Sequence, residues 1–170
     1  MSSQIPASPP PASPPAARPG PLPCPLCDED GGETILRDAM LRVVLVDDAD
    51  YPGFIRVIWN AHVAEMSALA PSERAHLLEV VLAVETALRA QMAPHKINLA
   101  SLGNQVPHLH WHVVPRYLDD AHFPQPIWGA RQRDPDPAAL TERRGKIAAV
   151  RAAIIASLAS SPPPPLRGRG

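Results

Sequence analysis

The sequence predicts an α+β domain: a mostly antiparallel sheet with a main helix on one face and a C-terminal helix. Three observations predict it. Short β-rich runs come in pairs, the first joined by a tight turn. A long segment with apolar residues at helical spacing separates the two pairs. A second helical segment closes the folded part.

In chain order, ten of the 23 prolines fall in residues 1–25, among alanine and serine. Such a stretch cannot bury enough apolar surface to offset its ordering entropy, so residues 1–21 are expected to be a disordered or extended tail, with a second tail at 161–170 and one domain between, 22–160. Glu33–Arg37 reads as a short strand. Leu41–Val46 is a second, bounded by Asp47, Asp48 and Asp50; Tyr51-Pro52-Gly53 turns the chain into a third, Phe54–Trp59. Pro71 suits the first turn of a helix, where its missing N–H would be unpaired anyway. Leu77, Leu78, Val81, Leu82, Val84, Ala87 and Leu88 supply its apolar stripe, and Pro94 stops it. Lys96–Leu102 and Leu109–Arg116 read as two more strands. Asp136 and Pro137 look like the cap and first position of a last helix, 138–158, with Gly145 its weak point.

A formal net charge of −1 and the lack of a sustained basic stripe argue against nucleic acid as a partner. Arg131–Arg133 and Arg143–Lys146 read as solvated faces. No apolar run reaches the roughly 20 residues needed to span a bilayer, and the first 25 residues do not read as a secretory signal. A cytoplasmic protein is expected, without membrane association. Both cysteines, Cys24 and Cys27, lie in one CPLC motif. In a reducing compartment that spacing points to metal or redox chemistry more than to a disulfide: two thiolates on zinc, or a thiol pair without metal. No phosphate-binding P-loop or dinucleotide fingerprint is present, so no organic cofactor is expected.

The most informative residues are His108-Leu-His-Trp-His112. On a strand, His108, His110 and His112 share one face, while Leu109, Trp111 and Val113 face the helix. Alternate residues lie roughly 6–7 Å apart, so the imidazoles form a line along which a substrate meets different rings at different atoms. A neutral imidazole can attack phosphorus, and a rigid strand aligns it. His76, His95 and His122 read as ordinary surface residues.

The segment His108–Pro115 resembles the signature of the histidine-triad family. Lys96–Pro107 resembles that family's lead-in strand and phosphate-binding loop. The likeness runs from Cys24 to Arg116 and is nearest to bacterial members of the diadenosine polyphosphate hydrolase-like branch. It implies a histidine-triad fold, usually a homodimer, with a nucleotide or nucleoside polyphosphate as substrate. By position it makes His110 the nucleophile at the α-phosphorus and gives His112 the phosphate oxygens or the leaving group. Asn98 and Asn104 would face the phosphates, Gly103 would let the loop backbone approach the anion, and Asp47 would meet the ribose hydroxyls, although an acid ending a strand equally caps a turn. Many members carry a further histidine where this chain has Phe54, so support for the catalytic ring must come from elsewhere. The loop between Asn98 and His108 is also slightly shorter than in eukaryotic members. Zinc-bearing branches imply a structural zinc on Cys24, Cys27, His62 and His108.

The activity so implied is nucleotide hydrolysis or nucleotidyl transfer at the α-phosphate of dinucleoside polyphosphates, nucleoside phosphoramidates or similar conjugates, through a nucleotidyl-histidine. Two alternatives stand beside it: a non-catalytic nucleotide-binding or sensing module, and a metal-dependent hydrolase using the histidine row as ligands. Trp128, Trp59 and Phe54 are the candidate rings for stacking on a base.

Overall fold

The computed structural model describes residues 23–159; the expected tails, 1–21 and 161–170, lie outside them. Five strands form one sheet: β1 (Glu33–Arg37), β2 (Leu41–Leu45), β3 (Ile55–Trp59), β4 (Lys96–Ala100) and β5 (His110–Arg116). Their spatial order is β1-β2-β3-β5-β4, and every neighbouring pair is antiparallel. The first three strands follow one another directly, β1 and β2 through a short turn and β2 and β3 through a longer loop that ends at Gly53 and Phe54. Gly53, with φ of +86°, makes the turn into β3 and passes so close to Met92 that a Cβ there would lie 2.6 Å from its sulfur.

The long helix α2 (Pro71–Met92) then crosses the sheet. Its N-terminal alanine cap offers no side-chain acceptor, but Glu73 reaches back to accept from the Ala70 N–H at 2.7 Å. It ends at Ala93 in the left-handed region, φ +48°, just before Pro94. Because α2 carries the chain past β3, the last strand, β5, can slot between β3 and β4 as an inner strand.

Alternation sorts the sheet into two faces. Leu41, Val43, Ile55, Val57, Trp59, Ile97 and Val113 form the main core with Leu77, Val80, Val81, Val84 and Leu88 of α2. Two residues expected in the helical stripe are outside it: Leu78 is 38% and Leu82 54% exposed. They lie roughly 100° and 140° round the helix from Leu77, beyond the arc facing the sheet, where Val80 and Met92 take their place. The opposite face of the sheet carries the histidines.

The expected single C-terminal helix is two, α3 (Pro137–Gly145) and α4 (Ile147–Ala159), broken after Gly145. Asp136 caps the first by accepting from the Ala138 N–H at 2.9 Å. Val150 and Ile154 of α4 join the main core beside α2. A four-residue helix, α1 (Pro25–Asp28), and a 3-10 turn at Met66–Ala68 carry no periodic signal in the sequence. His76, expected at the surface, is buried and bonds Asp38 at 2.7 Å through Nε2. Asp38 also accepts from the Met40 and Leu41 N–H groups, so this pair ties α2 to the β1–β2 turn.

Candidate active site and metal centre

The histidine row lies at the start of β5 and along it, and all three rings are nearly withdrawn from solvent: His108 is 1%, His110 8% and His112 6% exposed. His110 stands opposite Ile58 and His112 opposite Arg56 on β3. The Nδ1 of His110 bonds the His108 carbonyl at 2.6 Å. A carbonyl only accepts, so the ring proton is on Nδ1 and the Nε2 lone pair is left for attack. His112 has the opposite arrangement. Its Nδ1 is buried without a partner among the described residues, so no acceptor holds a proton there, and the tautomer protonated on Nε2 avoids burying an unpaired N–H and can donate to an oxygen. The two rings meet edge to face, centroids 4.7 Å apart. Burial pushes the pKa of both below the ordinary histidine value, His112 to about 3, with His110 and the Arg56 cation adding to the shift at His112. Both are therefore neutral near pH 7, as an attacking imidazole must be.

Phe54 is buried and tilts against His112 at 5.5 Å, filling its place with apolar surface. The support it cannot give His110 comes from the backbone carbonyl of His108. Ser101 steadies the same strand by donating to the His110 carbonyl at 2.9 Å.

Asn98 lies on β4, half-buried, and its Oδ1 accepts from Arg116 Nη1 at 2.6 Å. That bond fixes the amide orientation and leaves the NH2 as the outward donor. Arg116 is itself held by both oxygens of the buried Asp120 and by the Gln125 carbonyl. His122, expected to be a surface residue, is half-buried and bonds the Tyr51 hydroxyl at 2.5 Å; Tyr51 also faces Asp120. Gly103 has φ of +126°, a conformation that suits glycine, and Asn104 is exposed beside it. Asp47 is exposed and lines a cleft with Gly32, Gly53, Arg144 and Ile147, on the α4 side of the sheet. The acid whose charge reaches Arg56 on the histidine side is its neighbour, Asp48.

Of the three candidate stacking rings, Trp59 is in the core and Phe54 is covered. Trp128 is 52% exposed and stands edge-on to His112 at 5.0 Å. It walls a cleft of about 540 Å³ that also includes Asn98 and Ala100, the cross-strand neighbour of His112.

Cys24, Cys27, His62 and His108 converge, with ligand atoms all within 4.8 Å of one another. The sulfur of Cys24 lies 3.4 Å from His108 Nδ1; that of Cys27 lies 3.5 Å from the same atom and 3.3 Å from His62 Nδ1. A tetrahedral zinc with ordinary Zn–S and Zn–N lengths sets its S···N edges at about 3.5 Å. His108 Nε2 donates to the Trp59 carbonyl at 2.6 Å, which turns the Nδ1 lone pair toward the sulfurs and supplies an outer-shell bond. Burial and the adjacent Cys24 push the Cys27 thiol pKa up, with the Arg42 cation opposing them. The donor set, spacing and tautomer fit a metal site with four protein ligands. The histidine row itself is not one ligand set: His108 joins the thiols, and His110 does not.

Sequence reasoning missed three arginines around this site. Arg42 is buried and donates to the carbonyls of Leu26, Glu29 and Asp30, clamping the CPLC arm onto β2. Arg116 orients Asn98, and Arg56 faces His112. A charged residue inside an otherwise apolar strand was the available signal for Arg42 and Arg56.

Comparison with known proteins agrees with this geometry. The AP-4-A phosphorylase of Mycobacterium tuberculosis is 29% identical over 113 residues, which cover 63% of this chain; the chain spans 58% of that relative's length. Among solved structures, a histidine triad protein from Bradyrhizobium japonicum is 32% identical with a TM-score of 0.60, covering 72% of this chain and 91% of that one. One from Sinorhizobium meliloti is 28% identical with a TM-score of 0.59, covering 75% and 90%. Residues 29–119, more than half of the chain, match the HIT domain, and the protein belongs to the histidine-triad (HIT) family.

Proposed function

We propose that this protein is a nucleotide hydrolase or nucleotidyl transferase acting at the α-phosphate of dinucleoside polyphosphates, nucleoside phosphoramidates or related conjugates. The observation that carries this reading is the His110 Nδ1–His108 carbonyl bond, which leaves a neutral Nε2 aimed from an inner strand. Nε2 attacks the α-phosphorus, a P–N bond forms, and the bond to the leaving group breaks. The Nε2–H of His112 donates to a phosphate oxygen or to the leaving group. Asn98, Asn104 and the backbone at Gly103 hold phosphate oxygens; the ribose role that the resemblance implied for Asp47 is not part of this reading, because Asp47 lies on the α4 side of the sheet, away from the histidines. Water then attacks phosphorus, the P–N bond breaks, and a nucleoside monophosphate leaves with His110 restored. The AP-4-A phosphorylase relative supports the polyphosphate class, and makes inorganic phosphate an acceptor to test beside water.

Zinc on Cys24, Cys27, His62 and His108 is structural in this reading. Four protein ligands leave no position for a reacting water, and the ion ties the N-terminal arm to the catalytic strand. The domain, 22–160, works as a homodimer, and its free thiols suit the reducing cytoplasm. No helix among the described residues is long and apolar enough to cross a membrane.

His110→Asn tests the nucleophile. Turnover of a diadenosine polyphosphate is expected to fall by at least about 1,000-fold, with nucleotide binding and the melting curve retained. Near-normal turnover would remove His110 from this role.

A further inference from the structure

The sheet face that carries the histidines also carries an arginine with donors to spare. Other buried arginines here are well supplied with acceptors. Arg42 meets three carbonyls and Asn60, Arg116 meets Asp120, Asn98 and Gln125, and Arg143 meets Asp119. Arg56 is half-buried, yet among the described residues makes one long bond, Nη1 to the Gly31 carbonyl at 3.3 Å. Among the described residues its buried Nε–H has no acceptor and no carboxylate forms a salt bridge with it, although the charge of Asp48 reaches it. The guanidinium lies over the buried Phe54 ring, 5.5 Å from its centroid, on the residue directly across from His112.

A guanidinium left this way is poorly explained by packing alone. Its planar fork matches the oxygens of a phosphate, and partial burial strengthens that attraction. The reacting groups beside it, His110, His112 and Asn98, are all neutral. A substrate with several phosphates brings negative charge that these groups cannot offset. Adjacent strands are about 5 Å apart, so a substrate engaged by the histidines lies within one strand spacing of Arg56.

We propose that Arg56 binds a phosphate of the substrate other than the one under attack, and so selects substrates with two or more phosphates over single-phosphate conjugates. This rests on the nucleotide-cleaving reading above and names its substrate class: dinucleoside polyphosphates ahead of phosphoramidates.

The test compares wild type, Arg56→Met and Arg56→Lys on diadenosine tetraphosphate and on adenosine 5′-phosphoramidate, with products separated by chromatography. Arg56→Met is expected to lower kcat/KM for the tetraphosphate by roughly 10–100-fold, the range for a lost charge-assisted hydrogen bond. The phosphoramidate should change by no more than about threefold, and lysine should recover part of the loss. Equal losses on both substrates, or none on either, would overturn the assignment. If wild type cleaves neither compound, the hydrolase reading fails, and Arg56 is then judged by calorimetric titration with inorganic tripolyphosphate. A Kd at least about tenfold weaker in Arg56→Met supports the phosphate contact, and an unchanged Kd removes it. Melting curves of both variants accompany the assays; should the methionine variant not fold, Arg56→Gln replaces it under the same criteria.

Discussion

At His112 the chemistry and the stability of the protein meet. The ring titrates near 3 in the fold against an ordinary value of about 6.5 in the unfolded chain. Below pH 6.5 the unfolded chain therefore takes up a proton that the native ring refuses. Stability is lost progressively as pH falls from about 6.5 toward 3, and no further below that. His112→Gln removes this contribution. The stability lost between pH 6.5 and 4 in urea titrations is expected to be smaller in the variant by on the order of 1–2 kcal/mol, a figure reduced for partial solvent screening. An equal pH slope in both proteins would mean that His112 is not held neutral. At this scale the sequence was unusually informative about the histidines, because strand alternation puts residues 108, 110 and 112 on one face wherever that strand lies. It was uninformative about tautomers. Those depend on which carbonyl sits beside each ring, the His108 carbonyl for His110 and none for Nδ1 of His112.

The elements were legible where their punctuation is local. Pro71, Pro94, the Tyr51-Pro-Gly53 turn and Asp136-Pro137 each mark a boundary that the structure keeps. Gly145, the expected weak point of the last helix, is where it breaks into α3 and α4. A Cβ at Gly145 would meet nothing within 4 Å, and the residue does not need positive φ. Gly145→Ala should therefore stabilise the domain by about 0.5–1 kcal/mol, read as a higher melting temperature with unchanged kinetics. A lower melting temperature would indicate that the break itself is needed. What local pattern could not decide is the arc by which α2 meets the sheet, which leaves Leu78 and Leu82 outside and buries His76 against Asp38.

Across the whole molecule, the candidate metal site joins parts of the chain that are far apart in sequence: the CPLC arm, the segment after β3, and the residue two before His110. The carbonyl that orients His110 belongs to His108, so a metal on His108 Nδ1 would stiffen the same residue that aims the His110 ring. The protein purified with zinc should carry about one ion per chain. Joint Cys24→Ser and Cys27→Ser replacement should abolish that and lower the melting temperature by roughly 10 °C or more. Turnover should fall without vanishing, since His110 itself remains. Full metal content in the double variant, measured by elemental analysis, would contradict the ligand set.

By itself the sequence determined the order of the five strands and the main helix, the α+β class and the histidine line, because each follows from short-range periodicity or from residues that are neighbours in the chain; the family followed from the resemblance of the histidine motif. Only the tertiary structure decided which cations surround that line. Arg42, Arg56 and Arg116 are single charged residues in separate strands, and a charge in a strand has no meaning until pairing gives it a face and a neighbour. Strand order, set by the crossing of α2, placed Arg56 opposite His112 and Arg116 beside Asn98.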